Sequence, residues 1–225
     1  MKNSKKIDLM ELFGKGIKQD ERQFQKQMVN IHEFYLSGEI ESSEEYIQWF
    51  DTIRHAGEND VVKIYINSSG GDVFTAIQFM RVLQETAASI VVSIEGICAS
   101  AATMIMLCGD SFEISDHSVF MFHTYSGGMI GKGHEIHSQA QYEREWSINL
   151  IKKVYDGFLS EHEMHRVIDG ADLWMNGEEV VKRLEARQKK FAAQDEETLE
   201  KKDVNVKKST RKKAVKQSAE KSERN

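Results

Sequence analysis

The stretch "IEGICASAATMIML" (Ile94–Leu107) passes from a β-type pattern into a helical one across Cys98, Ala99, Ser100 and Ala101. Small residues at a strand-to-helix junction let another group come close to the backbone. On these residues alone two readings stand. One is tight packing of a helix on a sheet; the other is a nucleophile, Ser100, at a helix N-terminus with its free N–H groups and positive dipole end.

Working outward, helix and strand periodicities alternate. "EFYLSGEI" (Glu33–Ile40) reads as a strand and turn, and Ser42 with Glu45 reads as a capping box. The helix that follows carries Tyr46, Ile47, Phe50 and Ile53 on one face. "VVKIYIN" (Val61–Asn67) is a strand, "SSGGD" a tight loop, and Asp72 an N-cap for a helix with Val73, Ala76, Ile77, Met80 and Leu83 inward. "SIVVSIEG" leads into the opening stretch, and "SFEIS" and "SVFMFH" are short strands. After the Gly-rich "SGGMIGKG" comes a long helical pattern over 134–158. Ser160 with Glu163 caps another helix, and "NGEEVVKRL" starts the last. This alternation predicts an α/β domain with a parallel sheet core.

The chain has 225 residues, 40% hydrophobic and 29% charged, with a net charge of -6. That suits one well-buried domain with extensions: 1–30, a folded domain over 31–190, and a charged tail over 191–225. Lys201–Asn225 holds ten Lys or Arg against three Asp or Glu and reads as a disordered basic tail. The rest carries 20 basic and 33 acidic side chains, which argues against nucleic-acid binding by the folded part. No apolar run reaches the roughly 18 residues of a membrane span, and no signal-peptide core is evident. The two cysteines, Cys98 and Cys108, share one apolar stretch, which points to buried thiols and a reducing cytoplasm. "HEIH" (His134–His137) and "HEMH" (His162–His165) lack the spacing of a metalloprotease helix and read as solvated faces, so no metal or cofactor is expected.

Gly70–Gly71 and Ser100 stand where successive strands end, and in open α/β sheets such ends are neighbours. Gly71, lacking a Cβ, can bring its N–H close to a substrate and, with the helix N-terminus at Ser100, form an oxyanion hole. His123 closes the strand "VFMFH". A histidine there is ordinarily a surface residue, but a serine needing a base changes its meaning.

Four motifs, "YINSSGGDVFTAIQFMRVLQ", "EGICASAATMIMLCGD", "VFMFHTYSGGMIGKGHEI" and "VIDGADLWMNGEEVVKRL", resemble in order and spacing the proteolytic subunit of the Clp protease. The resemblance covers about Glu33 to Arg187. It implies a ClpP/crotonase-like spiral of β-β-α units with a protruding handle helix, the Gly-rich 126–133 segment belonging to the handle. It also implies a serine endopeptidase with nucleophile Ser100, base His123, orienting Asp172, and oxyanion donors on the backbone N–H of Gly71 and Ala101. Asp169 is the rival for the third place. The implied assembly is stacked homo-oligomeric rings enclosing the sites, fed with unfolded chains by a separate AAA+ ATPase. Ser69 and Tyr125 stand where the family usually has proline, and "VKRLEARQKKF" continues as helix where the family closes on a strand. Extensions at both ends would suit a phage-type homologue. Other readings are a catalytically silent ring subunit, a crotonase-type acyl-CoA enzyme, which would need a catalytic Glu and CoA-binding features not evident here, and a Ser–Lys peptidase, which would need a base lysine.

Overall fold

A computed structural model describes residues 29–194. Residues 1–28 of the N-terminal extension and the basic tail lie outside the described residues. Six strands form one sheet: β1 (Ile31–Ile40), β2 (Val61–Gly71), β3 (Ser89–Ala99), β4 (Ser111–Ile114), β5 (Val119–Phe122) and β6 (Leu173–Asn176). The order is β1-β2-β3-β5-β6, with β4 also paired to β3. All pairings are parallel except β5–β6. β3 is therefore forked: Val91–Ile94 pairs with β4, and Ile97–Ala99 pairs with β5. The α/β class is the one the alternation predicts, with the sheet parallel except at its β5–β6 end.

Strict alternation makes the sheet one-sided. Val62, Ile64 and Ile66 of β2 are buried, while Tyr65 and Tyr35 stack on the open face with centroids 4.6 Å apart. Lys63 pairs there with Glu113 at 2.9 Å. On the covered face lie helices α1 (Ile47–His55) and α2 (Val73–Glu85). Phe79 is their anchor, edge-on to Phe50 at 4.7 Å and to Tyr46 at 5.0 Å. Such aromatic pairs add about 0.5–1.5 kcal/mol each beyond area burial. Asp72 caps α2 as the sequence indicates, its carboxylate accepting from the Thr75 N–H at 2.6 Å. Ala76 and Leu83 are buried, but so are Phe79 and Val82, while Ile77 and Met80 are only partly covered.

Three local readings are corrected. The Ser42 side chain caps nothing; its backbone carbonyl accepts from Glu45 in a 3-10 turn (Ser43–Tyr46) that leads into α1, and Ile47 is exposed. "SSGGD" is not a tight loop, because β2 runs on to Gly71. Extended partners on both sides, Ile40 and Cys98, keep the ladder going past a bulge. Glu33–Ile40 is continuous strand, the turn shrinking to a register shift around Gly38 at φ 84°.

Beyond β3 come α3 (Ala101–Met106), the long α4 (Gly133–Val154), α5 (Glu161–Ile168) and α6 over residues 177–194. The helical continuation read beyond Val180 is thus present. Arg187 of α6 donates to the carbonyls of Leu107, Val154 and Asp156 at 2.8, 3.2 and 3.0 Å, satisfying chain ends that α3 and α4 leave open. Cys98 is buried and Cys108 partly so, and burial pushes both thiols up, Cys108 to about 12.

Ser160 and Glu163 form the expected reciprocal capping box on α5. Glu163 also takes two bonds from the Arg183 guanidinium, at 2.7 and 2.9 Å. That guanidinium, ahead of the Ser160 donors, holds the carboxyl down to about 2 from an ordinary 4.5. A depressed carboxyl contributes stability that is full above about pH 4.5 and lost as pH falls toward 2. After allowance for solvent screening, the contribution is about 1–2 kcal/mol. We expect Glu163→Gln to lower the melting temperature at pH 7 and to flatten its fall between pH 5 and 3. An unchanged acid limb in a thermal-melt pH series would refute this.

Candidate active site

Sheet topology gathers the chemistry at one edge. β2, β3 and β5 are parallel, so their carboxyl ends, Gly71, Ala99 and Phe122, lie together. β6 runs antiparallel to β5 with Phe122 opposite Leu173, so the start of β6 arrives at that edge too. Ser100, His123 and Asp172 each sit one residue off these strand ends, and the register sets them in a row.

Ser100 is the N-cap of α3, not a residue of its first turn, and is the one non-glycine with positive φ among the described residues (φ 53°, ψ -128°). Backbone in this region costs about 1–3 kcal/mol and persists only where the surroundings over-determine it. Here the Ser100 N–H donates to the Met121 carbonyl at 2.9 Å, tying the turn to β5. The turn lifts the hydroxyl out of the sheet toward His123, whose Nε2 lies 2.7 Å from Ser100 Oγ. On the other side of the ring, Nδ1 stands 3.6 Å from Asp172 Oδ1. That is an ion-pair distance, longer than a hydrogen bond. The Asp172 side chain is 55% exposed and that of His123 25%.

Gly70, at φ 98°, packs its Cα against the Ser100 turn: a Cβ there would come 2.6 Å from Ser100 Cβ and 2.8 Å from the Ala99 carbonyl. A Cβ on Gly71 would strike the Ile40 backbone. Ser68, fully buried, fixes this loop by accepting from the Gly70 N–H at 3.1 Å. Ala101 opens α3, where an N–H has no intrahelical acceptor.

Gly71, Ser100, Ala101 and His123 open onto a cavity of about 240 Å³. Its floor is apolar, with Met104, Leu150, Ile151 and Val154 among the lining residues. Phe74, stacked on Trp146 at 5.5 Å, also borders it. A larger neighbouring cavity of about 480 Å³ is lined by Tyr125, Arg144 and Asp169. Asp169 faces that space as the C-cap of α5 and makes no ion pair with His123 among the described residues. Tyr125 borders both cavities, and burial, then the nearby Glu143, raises its phenol.

Sequence reasoning missed the aromatic wall, whose members come from α2 and the distant α4. It also missed the strain at Ser100, for which a serine between two alanines gives no signal. His134, His137, His162 and His165 are exposed, and among the described residues no cluster of three or more His, Cys, Asp or Glu is built to hold a metal. Among the same residues no helix is long and apolar enough to cross a membrane.

The arrangement is a strained serine beside a histidine with a carboxylate behind it. The family model of the Clp protease matches residues 18–183, and the chain belongs to that family. It is similar to ATP-dependent Clp protease proteolytic subunit 1 of Salinibacter ruber, 27% identical over 129 residues that cover 55% of this chain and 54% of the relative. The corresponding subunit of Bacteroides thetaiotaomicron is 25% identical over 120 residues, covering 52% of this chain and 54% of the relative. That of Bacteroides fragilis is also 25% identical over 120 residues, covering 52% and 58%. The chain thus spans about half the length of the curated relatives it matches.

Gly70→Ala should separate geometry from chemistry. Its Cβ must displace the Ser100 turn, so we expect at least a hundredfold loss of serine-probe labelling with the Ser100, His123 and Asp172 side chains unchanged. Normal labelling of that variant would show that the close approach is not needed.

Proposed function

We propose that the protein is a serine endopeptidase that hydrolyses peptide bonds of unfolded polypeptides. The observation that carries this is the 2.7 Å contact between Ser100 Oγ and His123 Nε2 at the mouth of an apolar cavity. In this reading His123 takes the hydroxyl proton as Ser100 attacks the carbonyl carbon, and returns it to the leaving amine. Asp172 keeps the proton on Nδ1 and stabilises the imidazolium that forms. The N–H groups of Gly71 and Ala101 receive the oxyanion. Water then enters by the same base and frees the acyl group. The cavity suits an apolar substrate side chain, and the Gly-rich segment before α4 offers a free edge to which an extended peptide can add as a strand.

Stacked homo-oligomeric rings and an AAA+ unfoldase partner belong to the same proposal. Supporting it are the relatives, which are named as ATP-dependent Clp protease subunits, and the exposure of Ile130 in the segment before α4. The folded peptidase domain is proposed to span 31–190, flanked by extensions. A catalytically silent ring subunit is disfavoured by the serine–histidine contact.

Reaction with a fluorophosphonate probe and cleavage of short peptides test the chemistry. Ser100→Ala should abolish both. Asp172→Asn should slow turnover by about 10⁴-fold, as in other triads, and Asp169→Asn far less. A labelled Ser100→Ala chain overturns the nucleophile, and a reversed order of the two aspartates moves the third role to Asp169.

Light scattering on the purified chain tests the assembly. We expect a large closed homo-oligomer that cuts peptides but spares folded proteins. An active monomer or dimer would refute the ring.

A further inference from the structure

The carbonyl of Ser100 receives two hydrogen bonds from one residue. The Thr103 N–H donates to it at 2.9 Å, and the Thr103 hydroxyl at 2.6 Å. Thr103 is fully buried, and its Oγ1 also lies 2.7 Å from the Tyr155 hydroxyl. A hydroxyl has one proton to give. Since that of Thr103 goes to the Ser100 carbonyl, Tyr155 must be the donor to Thr103. Tyr155, just past the end of α4, is 4% exposed, and burial keeps its phenol protonated by pushing it up to about 12. Its ring also stands edge-on to Phe122, the residue before His123, with centroids 5.6 Å apart.

We infer that Tyr155 and Thr103 form a positioning relay that holds the Ser100 turn in its strained conformation and aligns it with His123. Neither touches the reacting atoms. Their effect runs through the carbonyl of Ser100, whose direction is set by the unusual ψ, and through the packing of Phe122 at the end of β5. The relay ties α4, which walls the substrate cavity, to the nucleophile, so movement of the C-terminal end of α4 reaches the serine within two hydrogen bonds. This inference rests on the reading of Ser100 as nucleophile.

The test uses the full-length chain and four variants, each assayed for melting temperature and for the saturation kinetics of fluorophosphonate labelling at Ser100. Thr103→Val and Tyr155→Phe each break the relay, and each should slow labelling at saturating probe about tenfold with little change in half-saturation. Thr103→Val leaves the Tyr155 hydroxyl buried without a partner, so it also loses stability. The double variant Thr103→Val/Tyr155→Phe removes both hydroxyls at nearly constant shape, and its melting temperature should recover. Its labelling should stay slow, and by less than the product of the single effects, because both residues act through one bond. Thr103→Ser, which keeps the hydroxyl, should restore labelling to within about threefold.

A double variant that is stable and labels at the wild-type rate would overturn the relay and leave a purely structural pair. So would single variants that lose stability but label normally while folded. Failure of the wild-type chain to label at all would instead remove the serine reading on which the relay rests, and the proposal with it.

Discussion

The backbone of Ser100 is held at φ 53° and ψ -128°, and the structure around it is arranged to keep it there. An L-residue is reluctant to stay in that region, so the surrounding structure has to hold it from several sides. β5 grips the amide through the Met121 carbonyl, Thr103 grips the carbonyl twice, and Gly70 packs against the Cβ. Each of these comes from a different element. The turn is the sum of the fold's constraints, not a property of its own sequence.

The forked pairing of β3 brings β5 to this turn. β4 serves the first half of β3 and β5 the second, and the Ser100 amide continues the β3–β5 ladder by donating to the Met121 carbonyl. β5 is thereby aligned so that the chain leaves its end at His123, facing the serine. The antiparallel return of β6 brings Asp172 to the same edge, although some fifty residues separate it from the histidine. Short, well-registered strands thus set side-chain distances that no loop would hold as well.

The last described helix, α6, binds the fold together through its arginines. Arg183 and Arg187 together engage α5, the end of α4, the end of α3 and the chain between them. These are charge-assisted bonds to carbonyls and a carboxylate. The open face of the sheet, with the Tyr35–Tyr65 stack, remains uncovered by any described helix.

The sequence alone determined the alternation of helix and strand, the Asp72 and Ser160 caps, and the four ordered motifs. Residues within one element interact at fixed offsets, so Asp72 meets Thr75 and Ser160 meets Glu163 whatever the rest of the chain does. It also singled out Ser100 and His123, because residue type and position at strand ends are visible in one dimension, and Asp172 through the family resemblance of the four motifs. Tertiary structure decided how those residues meet. The continuation of β2 through Gly71 depended on partners in β1 and β3, and the strain at Ser100 depended on β5 and Gly70. The Thr103–Tyr155 bond joins residues 52 positions apart, and the cavity is walled by side chains from α2, α3 and α4. Such contacts rest on sheet register and helix packing, which a linear pattern does not encode one residue at a time.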